Sequence, residues 1–146
     1  MTHEQKDLLF KDLCARLPYG VKCEVYNCIG VLDEVTTLYG VGVTYSNGQD
    51  TTCRIDECKP YLFPLSSMTD EQCEELRNLI YEHFTLDDEF NEGICFKTYG
   101  DILVWLDEKP INQCYFIFDY FNKNHFDYRG LIPMGLANDC TNLKIY

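Results

Sequence analysis

Three side chains able to move a proton or hold an anion stand at alternate positions in "NHFDYRGLI", residues 124 to 132: His125, Asp127 and Arg129, with Tyr128 between the last two. An imidazole near a carboxylate is material for general acid–base chemistry, and a guanidinium binds carboxylates and phosphates. The same residues also have architectural uses. His125 comes after an apolar run that reads as a helix, whose exposed carbonyls favour a donor or cation. Asp127 can cap the next segment of chain. Arg129 has an acid two residues back, Phe126 and Tyr128 can anchor the turn, and Gly130 permits close backbone approach. Catalysis would need a geometric partner from elsewhere in the chain, and the sequence names none. His125, Asp127, Tyr128 and Arg129 therefore form a candidate functional turn, and no residue is assigned as catalytic.

Thiols are the next chemistry to weigh. There are nine cysteines, an odd number, and the start of the chain lacks the basic-then-apolar pattern of an export signal, so reduced thiols are expected. Cys14, Cys23, Cys53 and Cys73 fall where an apolar residue is expected, and free cysteine packs as a small hydrophobe. Two pairs, Cys23/Cys28 and Cys53/Cys58, suggest a four-thiolate zinc site, but zinc ligands usually sit closer together. In a strand, positions five apart also point to opposite faces unless a bulge intervenes. No metal and no cofactor are expected. A cysteine nucleophile would need His3, His83 or His125 as its base, and nothing brings a particular thiol to any of them. No Gly-x-Ser-x-Gly elbow is present, and the glycines of "YGVGVTYSNG" lack the Lys-Ser/Thr of a phosphate loop.

Charge is concentrated. The chain carries −12, and residues 69 to 93 hold nine acids (Asp70, Glu71, Glu74, Glu75, Glu82, Asp87, Asp88, Glu89 and Glu92) against Arg77 alone. Such a chain should be repelled by nucleic acid and by anionic membrane. A solvated helix face and loop explains the window; a docking surface for a basic partner, or a mimic of the nucleic acid backbone, is the sharper reading.

The elements that must position these groups are legible from periodicity. Residues 2 to 17 read as a helix capped by Thr2 with Gln5, its stripe made of Leu9, Leu13 and Leu17 with Phe10 and Cys14 beside it. From 21 to 63 the period falls to two, with strands at Val21–Val25, within 30 to 38, at Val41–Tyr45 and at "TTCRI". The Asn-Gly of "SNGQ" marks a hairpin between the last two. "KPYLFPLSSMT", with two prolines in six residues, looks like an extended connector to a helix capped by Thr69 and Gln72 and running to about 84. "TLDDEFNEG" reads as an acidic loop and "ICFKTY" as a strand; "DILVWLDE" fits either strand or helix. Asn112 can cap a helix over "QCYFIFDYFNKNHF", and Asp127 can open a short helical segment in "DYRGLIPMGLA".

The segments "ARLPYGVK" (15 to 22), "KPYLFPLSSMT" (59 to 69) and "NHFDYRGLI" with "GLA" (135 to 137) after it resemble signature stretches of a family of short uncharacterised proteins from gut bacteria, their phages and their mobile elements. That resemblance implies an accessory protein of a mobile element and carries over no functional residue. The expected fold is α+β: an N-terminal helix on a small curled antiparallel, SH3-like sheet (residues 1–65), then a mainly helical lobe (66–146), packed as one unit. The expected function is a non-catalytic module, cytoplasmic, that binds another protein and neither nucleic acid nor membrane. The alternatives are an acidic DNA mimic that inhibits a host defence or DNA-binding protein, and a small enzyme or ligand sponge using the His125–Arg129 turn.

Overall fold

The computed structural model describes residues 1–83, 98–107 and 114–146. Helix α1 (His3–Arg16) begins on the expected reciprocal cap: the Gln5 N–H donates to Thr2 Oγ1 at 3.2 Å, and the Thr2 N–H to Gln5 Oε1 at 2.9 Å. Its inward stripe differs from the apolar one read from the sequence. Leu9 and Leu13 are buried as expected, but Asp12 and Arg16 go in beside them while Cys14 is exposed. Positions 9, 12, 13 and 16 share a face at helical spacing, and 14 lies off it. Pairing between the two charged side chains is what makes that face buriable.

After a 3₁₀ turn (Leu17–Tyr19) and left-handed Gly20, five strands run antiparallel: β1 (Lys22–Val25), β2 (Cys28–Val35), β3 (Gly40–Tyr45), β4 (Asp50–Arg54) and β5 (Cys58–Pro64). Tyr26 and Asn27, both at positive φ, form the two-residue turn joining β1 to β2. The Asn47-Gly48 hairpin forms as expected, with the Gly48 N–H donating to the Tyr45 carbonyl at 2.9 Å. A Cβ on Gly42 would lie 2.7 Å from Asp33 Oδ1 and 3.0 Å from Glu34 Cβ, at the bulge between Leu32 and Glu34, so a side chain there would have to displace Asp33.

The expected connector at 59 to 69 is mostly strand. Pro60 is the last residue of the β1 ladder and Pro64 the last of the β6 ladder, so the missing N–H groups fall at ladder ends, where least pairing is lost. Two short strands from the C-terminal part, β6 (Phe126–Asp127) and β7 (Asn138–Asp139), pair with β5 in parallel. The sheet order is β4-β3-β2-β1-β5-β6 with β7 also on β5, and the sheet is not closed, so the curling expected of an SH3-like barrel stops short of closure. Strand β5 turns outward to take parallel partners instead of returning to β4.

The described helices of the second half are α2 (Asp70–His83), α3 (Tyr99–Asp107) and α4 (Tyr115–Lys123). Thr69 and Gln72 cap α2 reciprocally, as expected. The undecided "DILVWLDE" run is helical. Thr98 and Asp101 cap it, so the last residues of "ICFKTY" begin a helix rather than end a strand; residues 94–97 of that stretch, the acidic loop and the expected cap Asn112 lie outside the described residues. Helix content ends at Lys123. No helical segment forms over 127–137, because Gly130 and Gly135 take left-handed angles and Pro133 lies between them.

Two cores result. One, under the sheet, is aliphatic and thiol-rich, from Leu9 and Leu13 through Val25, Val43 and Leu62 to Leu131 and Leu136. The other, among the helices, is ring-rich, with Trp105, Phe116, Phe121 and Phe126 around Leu76, Ile80 and Ile117.

Candidate functional site at the Tyr128–Arg129 turn

The candidate turn is built where the two cores meet. Asp127 caps it without a helix: its carboxylate accepts the Leu131 and Ile132 N–H groups, both at 2.8 Å. That fixes the loop and leaves Asp127 no role toward Arg129. Arg129 turns instead to α1, where its Nε lies 3.3 Å from Asp12 Oδ1, close enough to pair but not in hydrogen-bond geometry. Asp12 is already engaged. Arg16 grips it through Nε (2.7 Å) and Nη2 (3.1 Å), and the same Nη2 donates to the Phe126 carbonyl at 2.7 Å. Both members of this pair are completely buried. Two guanidiniums thus share one carboxylate, and a positive charge is left over at the surface end of the cluster. The Tyr128 ring lies between them, with the Arg129 guanidinium 4.8 Å and that of Arg16 5.7 Å from its centroid.

Arg129 and Tyr128 form one wall of a groove of about 800 Å³ between α1 and α4. Ala15 of α1 and Tyr115, Phe118, Asp119 and Asn122 of α4 complete the lining. These four α4 positions recur at helical spacing on one face, opposite the face that packs on α2. Asp119 accepts a hydrogen bond from Tyr19 of the 3₁₀ turn. Asn122 is 6% exposed, and its Oδ1 has no hydrogen-bond partner. A buried acceptor left unsatisfied costs about 1–3 kcal/mol.

His125 does not join this groove. It stands at φ 57°, its ring stacked on Tyr146 at 4.2 Å, with Nδ1 buried and unpartnered. Burial first, then the positive charges of Arg16 and Lys22, push its pKa down to about 4. The expected donor or cation at a helix end is therefore a neutral, desolvated ring: the carbonyls that would have favoured its charge are outweighed by burial and two basic neighbours. The other histidines are placed elsewhere. His83 stacks on Phe116 at 4.1 Å, and His3 lies 3.6 Å from Asp7 on α1.

The thiols gave one surprise. Cys53 and Cys58 meet, because the 3₁₀ turn Ile55–Glu57 reverses the parity that five residues of strand would impose, and Cys23 joins them from β1. Cys28 is exposed and apart. Hydrogen bonding within the trio and desolvation push the Cys53 and Cys58 pKa values far up, so both are protonated thiols with little nucleophilicity at neutral pH. Among the described residues no group of three or more His, Cys, Asp or Glu side chains is arranged to hold a metal ion.

The acids of α2 do share a face. At 100° per residue Asp70, Glu71, Glu74, Glu75 and Glu82 span about 140° of the helix, opposite the buried Cys73, Leu76 and Ile80. Glu75 accepts from the Tyr120 hydroxyl at 3.2 Å. Asp87, Asp88 and Glu89 lie outside the described residues. No described helix is long and apolar enough to cross a membrane.

Of the four turn residues, the structure brings Tyr128 and Arg129 to the groove, and gives Asp127 and His125 other surroundings. Sequence reasoning missed Asn122, Phe118 and Asp12. The first two carried a signal, since positions 115, 118, 119 and 122 mark one helix face; Asp12 was hidden because a lone acid in an apolar stripe reads as solvent-facing. No family model matches the chain, and no curated protein or solved structure shows significant similarity to it.

Proposed function

We propose that this chain is a non-catalytic protein-binding module, a cytoplasmic accessory protein of a phage or other mobile element, which seats an apolar segment of its partner in the α1–α4 groove. The observation that carries this reading is the groove itself: three aromatic rings, with Arg129 and Asp119 beside them, line a space of about 800 Å³. Rings with a few fixed polar groups are the usual make-up of a recognition surface. The protonated thiols and the desolvated His125 supply no activated nucleophile or paired base beside it.

A photo-crosslinking side chain in place of Tyr115, which is exposed at the groove mouth, tests this in host cells. One discrete protein adduct is expected, lost when Phe118→Asp is added. The same probe at Leu38, 89% exposed on the β2–β3 loop, should give none. Equal labelling from both positions, or none from either, overturns the reading.

The acidic face of α2 favours a second reading, a DNA mimic that inhibits a host DNA-binding protein. It predicts that the chain displaces a specific host protein from immobilised DNA, and that Glu71→Gln, Glu74→Gln and Glu75→Gln together abolish the displacement. Displacement that survives the triple change sinks it.

A further inference from the structure

The ladder between β1 and β5 is interrupted by a side chain from much later in the sequence. Cys23 faces Pro60 in that ladder, so the next pair in register is Lys22 with Tyr61. The Leu32 N–H donates to the Val21 carbonyl at 2.9 Å, which turns the polar groups of Val21 towards β2 and those of Lys22 towards β5. The Lys22 N–H and the Tyr61 carbonyl nevertheless do not meet. The Tyr146 hydroxyl stands between them, accepting from the Lys22 N–H at 2.9 Å and donating to the Tyr61 carbonyl at 2.9 Å. Its ring is stacked on His125 at 4.2 Å, lies 5.8 Å from that of Phe63, and has the Lys22 ammonium 5.7 Å from its centroid. Filling this gap takes a group that is donor and acceptor at once, carried on a flat ring. A phenol meets both conditions and a phenyl ring only the second.

The segment that delivers the ring is itself loosely held. Thr141, Asn142, Leu143 and Lys144 are exposed and Ile145 is half-buried. Thr141 and Leu143 bond back to Asp139 and Cys140, within the segment's own turn, and Lys22 Nζ donates to the Ile145 carbonyl. Lys144 and Ile145 wall a cleft of about 450 Å³ over Ile29, Val31 and Thr44 of the sheet. We propose that residues 141–146 are a detachable strap, latched when the Tyr146 phenol enters a seat between Lys22, Tyr61, His125 and Phe63, and that lifting it opens the cleft over Ile29 and Val31 into a free sheet face. The hydroxyl makes the seat selective for a phenol, because only a group of that kind completes both backbone bonds. This device does not depend on the α1–α4 groove.

The test compares the full-length parent with Tyr146→Phe and Tyr146→Ala by amide relaxation and chemical shifts. In the parent, residues 141–146 should be ordered. In Tyr146→Phe, which keeps the ring and loses the wedge, their order parameters should fall below about 0.6 while signals from both cores stay in place. A strap still ordered in Tyr146→Phe overturns the latch, and a Tyr146→Ala chain that unfolds as a whole overturns the strap, since the ring would then belong to the core. The vacated seat is probed with p-cresol, the tyrosine side chain without its backbone, and with toluene. In Tyr146→Ala the pKa of His125 should rise by about one unit or more from its parental value of about 4, since the ring no longer covers it, and millimolar p-cresol should push it back. Toluene should bind about tenfold more weakly. Equal binding of the two probes, or no response to either, overturns the selectivity of the seat.

Discussion

The sheet core and the helix core solve the same burial problem with different materials. Under the sheet, Val, Leu, Ile and Cys alternate along strands, and each side chain is stiff, small and placed by a period of two. Among the helices, Phe116, Phe121, Phe126 and Trp105 fill the space, aided by His83 on Phe116 and by Phe121 on Tyr128 at 5.6 Å. The groove opens on the outer side of that second core, along α4. The two cores are joined by a charged rivet, since Arg16 rises from α1 and donates to the carbonyl of Phe126. The candidate site lies at the seam because there the rings and a surplus cation come together.

The strongest way to break that comparison is to remove the rivet. Arg16→Ala leaves Asp12 buried with only the looser Arg129, and should cost about 3–5 kcal/mol in urea unfolding. Trp105 is the single tryptophan and sits in the helix core, so its fluorescence reports that region separately from far-ultraviolet circular dichroism. In the parent the two signals should coincide; in Arg16→Ala the fluorescence should lead. Coincident transitions in the variant would mean that the cores do not depend on this contact for their union. Replacing both partners, Asp12→Leu with Arg16→Met, should recover most of the loss.

Acidity probes the same seam more gently. The folded pKa of His125, about 4, lies below its unfolded value near 6.5, so the unfolded chain binds the extra proton first. Stability is fully present above pH 6.5 and is lost as pH falls towards 4. His125 is half-buried rather than wholly enclosed, so the loss should be about 1–2 kcal/mol rather than the full shift. His125→Asn, which tolerates the positive φ, should flatten the slope of stability against pH over that range. An unchanged slope would mean that other groups carry it.

The smallest effects sharpen the comparison by symmetry. Thr2 and Thr69 make the same reciprocal cap, one for the helix on the sheet core and one for the first helix of the ring core. Thr2→Ala and Thr69→Ala should each cost about 0.5–1 kcal/mol, read from the urea midpoint. A much larger loss at Thr69 would show that the helix core rests more heavily on local helix stability than on packing.

Wherever a signal is local, it could be read along the chain. Both threonine caps, the Asn47-Gly48 turn, the alternation of Val41 and Val43, and the α+β class arise from interactions within a few residues of each other. The β5 strand was masked by its prolines, which matter only if the missing N–H would have fallen inside a ladder; that depends on which strand lies alongside. Thr98 and Asp101 spelled a cap that the aromatic, β-branched look of "ICFKTY" concealed. At the turn, Asp127 capped as its type suggests, but Arg129 took a role set by Asp12, more than a hundred residues away, and His125 one set by Tyr146, Arg16 and Lys22.

By itself, then, the sequence determined the period and approximate ends of α1, α2, β1, β3 and β4, the net acidity, and the one-sided charge of α2, because each depends on short-range sterics, hydrogen bonding or simple counting. Only the tertiary structure decided that Asp12 and Arg16 go inside, that the sheet stays open, and that Tyr128 and Arg129 meet one face of α4 across a groove. Those outcomes rest on long-range pairing of charges and on the packing of rings, and neither leaves a periodic trace in the chain.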